Sequence, residues 1–219
     1  MRALLRSSFA LTAAFLVAGG ATPLAAQDGP GHNHIGHVAD GFRGTPDGMG
    51  LLPTAAAEAE VALQHAGFAA REGTGLDGIK RHAAHVLHAL DASSSEAGPG
   101  KGYGLIRALG GVVQHIEMAA AADGASDGVK THANHVATAA RSALERAEEM
   151  KTIAGHLMET DNEQRATRGA ARLAELAAAI LEGHDANEDG RMGWNNGEGG
   201  IAQANTHLGL MKRGEGMGG

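Results

Sequence analysis

The chain has 219 residues, with 18 Lys and Arg against 25 Asp and Glu, a formal net charge of −7, 13 His and no Cys. The lack of Cys excludes disulfides, thiolate metal sites and covalent c-type haem, and the acid excess argues against nucleic acid or an anionic membrane as the main partner. Alanine, the best helix former, fills 45 positions, and only six residues are aromatic, so the expected fold class is all-α.

In chain order, Arg2 and Arg6 precede the apolar run Phe9–Val17 and the small residues up to Ala26. This is the pattern of a secretory signal over residues 1–26, too short for a transmembrane anchor. Its removal leaves 16 basic and 25 acidic side chains, net −9, and the expected location is the periplasm or the exterior. Residues 27–50 are rich in Gly, Asp, Pro and His without a sustained period, and read as a flexible leader.

Pro53 suits a first helical turn, and Thr54 to Arg71 is helical in composition. Thr74 with Asp77 reads as the start of a second helix, ending near Leu90. Ala92–Gly104 reads as an exposed linker. A third helix is expected from Leu105 to about Ala122. A fourth should start near Ser126 and reach His156 or beyond, with a break or kink. Thr160 and Glu163 form a capping signature before the apolar spacing Leu173, Leu176, Ala177, Ile180, Leu181. A short last helix from Ile201 to about Lys212 precedes a Gly-rich tail, 213–219, expected to be disordered.

An internal repeat has an offset of 50 residues: Val61–Leu90 set over Gly111–Ala140 gives 12 identities in 30. Lys80-x-His82-Ala83-x-His85-Val86 aligns with Lys130-x-His132-Ala133-x-His135-Val136, and Gln64-His65 with Gln114-His115. Each unit, 55–91 and 105–141, is a helical hairpin, and two hairpins predict a four-helix bundle over residues 51–160.

The hairpin turns fall near Thr74 and Gly124. At 1.5 Å per residue, His65, His82 and His85 come to the same level, as do His115, His132 and His135. Each hairpin therefore offers three imidazoles, ligands suited to Cu²⁺, Zn²⁺ or Ni²⁺. The apolar stripe Ile79, Ala83, Val86, Leu90 puts His82 on its flank and His85 farther round. Binding on helix flanks, shared with a neighbouring helix or chain, is therefore expected ahead of a core site inside one hairpin, and the alternative is a merely solvated surface. His88 has no counterpart in the second unit and reads as surface. His32-x-His34-x-x-His37 in the leader is a candidate accessory metal segment.

On these residues the chain resembles the small periplasmic His-rich metal-binding proteins of bacteria, over roughly residues 54–150. That resemblance implies a helical bundle that binds several divalent transition metals without catalysis. Asp185-Ala-Asn187-Glu-Asp189-Gly190-Arg191 resembles the first half of an EF-hand calcium loop within a helix–loop–helix over 161–212. The likeness implies oxygen ligands from Asp185, Asn187, Asp189 and the Arg191 carbonyl. Position 12 is Asn196, where a bidentate Glu is usual, and the nearest acid is Glu198. Either Glu198 closes a longer loop or the site is incomplete.

Enzymatic signatures such as Gly-x-Ser-x-Gly and His-Glu-x-x-His are missing from the sequence. The expectation is a non-enzymatic, exported metal-binding protein with an additional weak calcium loop, whose partners are metal ions. The alternative is a calcium-binding structural or interaction module whose histidines are surface residues.

Overall fold

The computed structural model describes residues 29–94 and 98–218, and among them the chain is all-α, with seven α-helices and no strands. The signal-like segment lies outside the described residues. The helices are α1 (Pro30–Ala39), α2 (Leu51–Ala69), α3 (Gly75–Leu90), α4 (Leu105–Ala121), α5 (Asp127–Glu159), α6 (Glu163–Glu182) and α7 (Ile201–Gly214). No helix among them is long and apolar enough to cross a membrane.

α2 packs on α3 and α4 on α5, the two hairpins implied by the repeat, and α3 meets α5 while α2 meets α4. Their faces are lined by Ala59, Ala62, Ala66, Ala83 and Val86 in the first hairpin and by Val112, Ile116, Ala119, Ala133 and Val136 in the second, all buried. α6 packs on α2 and α5, α7 on α5, and α1 on α4. A single buried cluster runs from Ile35 in α1 through Leu109 and Met150 to Ile180 and Met211. Burying an apolar side chain of this size is worth roughly 1.5–3 kcal/mol, so the outer helices are held by the same force as the hairpins.

The first correction concerns the leader. Residues 30–39, expected to be flexible, form α1, with Ile35 and Val38 both 0% exposed against the core. Ten residues with two buried positions are too few to show a period, so packing rather than local pattern makes this helix. α5 is the second: it runs for 33 residues without the expected break.

The caps differ in detail. Ser126 accepts a hydrogen bond from the Val129 N–H and starts α5 as expected. Thr74 is the N-cap residue of α3, as expected, but its hydroxyl makes no cap bond there and instead donates to the Phe68 and Arg71 carbonyls at the end of α2. The N-cap of α6 is Asn162, accepting from the Arg165 N–H, rather than Thr160. At the other end of the chain, α7 extends to Gly214 and Met217 packs partly against the core, so that part of the tail is ordered.

The connection into α4 is not a free linker. The Glu58 carboxylate, 0% exposed, accepts hydrogen bonds from the Lys101, Tyr103 and Gly104 N–H groups at 2.8–2.9 Å. A buried charge is tolerated when its lone pairs are filled in this way. His88, read as surface, is buried beside this connection: a Cβ built on Gly98 would meet its ring at 2.4 Å.

Candidate metal centres

Nine of the 13 histidines gather into three groups of three. In each group a His-x-x-His pair on one helix meets a single histidine on another. His82 and His85 of α3 face His65 of α2. His34 and His37 of α1 face His115 of α4, while His132 and His135 of α5 face His207 of α7.

The trio His65, His82, His85 is the one expected from the first hairpin. The trio expected from the second does not form. His115 lies on the face of α4 covered by α1, whereas His132 and His135 lie on the face of α5 covered by α7, so His115 takes both its partners, and the His132–His135 pair its one, from outside the hairpin. This is the flank arrangement with a neighbouring helix. His34 and His37, taken as an accessory segment, are full members of a site. His32 belongs to none; its Nε2 lies 3.0 Å from the Glu215 carboxylate, which also accepts from Ser126. His207 was not foreseen. No local signal singles it out: His156 also lies on a helix with a buried face, and His85-x-x-His88 is a fourth pair of the same spacing.

The geometry is the same in all three. The single histidine's Nδ1 is the hub: His115 Nδ1 is 2.9 Å from His34 Nδ1 and 3.3 Å from His37 Nδ1. His65 Nδ1 is 3.1 and 3.2 Å from those of His82 and His85. His207 Nδ1 is 3.2 and 3.3 Å from those of His132 and His135. The Nδ1 of a neutral imidazole has either one proton or one lone pair, so a hub nitrogen satisfies one of its two neighbours by a hydrogen bond, not both. A cation takes the lone pairs of all three. With ion–nitrogen bonds of 2.0–2.1 Å, these separations correspond to N–metal–N angles of roughly 90–110°. The three donors thus cap one side of an ion, with the remaining positions for water or another ligand.

The electrostatics favour the ligating, neutral form. Partial burial holds His65 below the usual imidazole range, and positive charge on His85 or His82 would push it lower. His115 is lowered by burial and then by His37 and His34, and His207 by burial and then by His135 and His132. His82 and His135 move the same way, again mainly through burial. All nine of these side chains are half-buried, sheltered yet reachable from solvent. Each trio also has an aromatic wall: Phe68 at 5.5 Å from His65, Phe42 at 5.0 Å from His115, and Trp194 stacked on His135 at 3.9 Å between ring centroids.

The acidic segment between α6 and α7 is folded by its own side chains. Asp185 accepts from the Asp189 and Gly190 N–H groups, Asn187 from Asp189, and Asp189 from Arg191. Asn196, the twelfth position, is exposed with φ of 54°, and Gly197 follows at 78°. With the Glu198 N–H donating to the Asn195 carbonyl, this is a tight Asn-Gly turn of the primed kind. That turn carries Asn196 outward and Glu198 inward: Glu198 is 3% exposed, accepts from the Gly193 N–H, and its Oε1 is buried without a hydrogen-bond partner. Asp185, Asp189 and Glu198 are not drawn together as tightly as the histidine trios. The Arg191 side chain is exposed, and His156 and His184 join no group.

Comparison with protein-family models, with curated proteins and with solved structures found no match to this chain. The functional reading therefore stands on side-chain geometry alone.

Proposed function

We propose that this is an exported, non-enzymatic protein that buffers or sequesters divalent transition metals through three mononuclear histidine sites. One observation carries the reading: the same hub of three Nδ1 atoms recurs three times, on three different helix pairs. Solvated helix histidines have no reason to converge through the same nitrogen each time. The donor set, three neutral imidazoles and no carboxylate or thiolate, suits Zn²⁺, Cu²⁺ or Ni²⁺ rather than a hard cation. A role in holding metal rather than in catalysis is supported by the near-identity of the sites and by half-exposed positions open to exchange. The acidic segment would add a weak calcium site built on Asp185, Asn187, Asp189, the Arg191 carbonyl and Glu198.

Titration of the purified, chelator-treated chain near neutral pH tests this. The expected result is three equivalents of Zn²⁺, Cu²⁺ or Ni²⁺ bound at micromolar or lower concentration. Binding no tighter than that of a denatured chain of the same composition would overturn it. The second reading, a calcium-dependent structural module with idle histidines, is favoured by the unpartnered Glu198 oxygen. It predicts calcium binding with no defined transition-metal stoichiometry.

A further inference from the structure

One of the three sites differs from the others in what stands behind it. Phe68 belongs to the end of α2 and Phe42 to the short connection after α1, whereas Trp194 belongs to the acidic loop itself. Its ring lies parallel to His135, 22° between planes, and edge-on to His207 at 6.3 Å. The loop is closed at its base by the His184 N–H donating to the Glu198 carbonyl at 2.8 Å. Asp185 and Glu198 therefore spring from adjoining points. It rests directly on α5, where a Cβ built on Gly199 would come within 2.7 Å of Ala139, one turn beyond His135. Arg146, also on α5, donates to the Gly197 and Gly199 carbonyls and to the Ala179 carbonyl of α6. Immediately after the loop, α7 begins and carries His207.

Glu198 supplies the independent sign of a ligand. Its carboxylate is buried, with Oε2 against Gly193 and accepting from that N–H, while Oε1 has no donor. A buried carboxylate with an unfilled oxygen destabilises the closed loop unless a cation or donor reaches it.

We propose that calcium bound in the 185–198 loop regulates the His132–His135–His207 site, raising its transition-metal affinity by fixing Trp194 against His135 and α7 against α5. This rests on the metal-holding role proposed above and adds a control that the other two sites lack. Calcium satisfies Glu198 and holds the loop shut, so the ordering of Trp194 and His207 is already achieved when the second ion arrives. Repulsion between the two ions opposes this, since the loop carboxylates are present with and without calcium, and the gain from ordering must exceed it. Calcium does not compete for imidazole, since it takes oxygen ligands. By linkage, the transition metal tightens calcium by the same factor.

The test uses the full chain carrying H65A and H115A, which leaves one intact trio beside the only Trp in the sequence. Copper(II) is added in a buffered series, with Trp fluorescence quenching as the readout, with and without millimolar Ca²⁺. Calcium is expected to lower the copper midpoint by about 5- to 100-fold, within the usual range of coupling between sites. D185N/D189N should lose that shift and keep the calcium-free midpoint, with unchanged helical circular dichroism. A midpoint that calcium leaves unmoved or raises, while radioactive calcium shows binding, overturns the coupling. No calcium binding at millimolar concentration overturns it too and leaves the histidine sites standing. If copper fails to quench in either condition, the metal reading of this trio falls with the proposal.

Discussion

The trio inside the first hairpin and the two that bridge helices show how one local pattern serves different tertiary ends. His65 is 17 and 20 residues from His82 and His85, so α2 and α3 bring them together as soon as they fold on each other. His115 is 81 and 78 residues from His34 and His37, and His207 is 75 and 72 from His132 and His135. The aligned positions of the two repeats are the same, yet those of the second are divided between α1 and α7. A His-x-x-His pair on a helix flank takes its third ligand from whichever helix covers that flank.

The contrast breaks most decisively if the hubs are removed. Replacing His65, His115 and His207 together by Ala should abolish defined stoichiometry, and each single replacement should remove one equivalent, read by calorimetric titration. Loss of an outer-shell partner costs about 10- to 100-fold in affinity, and loss of a direct ligand should cost at least that. If H115A instead disabled His132 and His135, the division between sites would be wrong.

A second prediction leaves every histidine in place. E58A strands two buried N–H groups, those of Tyr103 and Gly104, at the entry to α4 and frees the partly buried one of Lys101; at about 1–3 kcal/mol for each buried group, urea unfolding should show a loss of at least about 2 kcal/mol. Metal stoichiometry should stay at three in the folded protein. A third concerns the metal itself. At a hundredfold excess over Kd, each site should contribute about 2.7 kcal/mol to stability. Hydrogen exchange should then show α1 losing its metal-dependent protection in H115A but not in H65A.

The pH dependence is smaller near neutrality and has a definite sign. The hubs are already neutral at pH 7, because burial and like charge lower them. Affinity should therefore vary little from pH 8 to 7 and fall steeply below about 6, as protons compete for the lone pairs. Without metal, the unfolded chain takes up protons from about pH 6.5 downwards before the folded one does, so stability should decline through that range. The smallest effect lies on a surface pair. The Lys151 ammonium, at 2.8 Å, and the Ser93 hydroxyl hold Asp91 at about 2 rather than 3.8. Its contribution is present above about pH 3.8 and is lost as pH falls to about 2. Both side chains are partly exposed, so D91N should cost less than about 1 kcal/mol at pH 7.

Six helices and one complete trio were legible from the sequence, because hairpin geometry follows from turn position and helical rise alone. The bridging trios were not, since nothing local to His115 says that α1 lies on its flank. α1 itself depends on two buried side chains, Ile35 and Val38, which only the finished core makes meaningful. Asn196 misled for a related reason. It stands at the twelfth position of the count, but an Asn-Gly turn spends it on chain reversal and carries Glu198 inward two residues later.

The inward nitrogen has a consequence for composition. Nδ1 is the imidazole nitrogen nearer the backbone, so a hub built on it has a short arm, which favours helices packed towards the close end of the usual 8–10 Å separation. Ala62 and Ala66 share α2 with His65, and Ala83 shares α3 with His82 and His85, each with almost no surface left. The abundance of alanine is thus a matter of clearance as well as helix propensity. An A62L exchange should wedge the two helices apart and weaken the trio while leaving every imidazole on the chain.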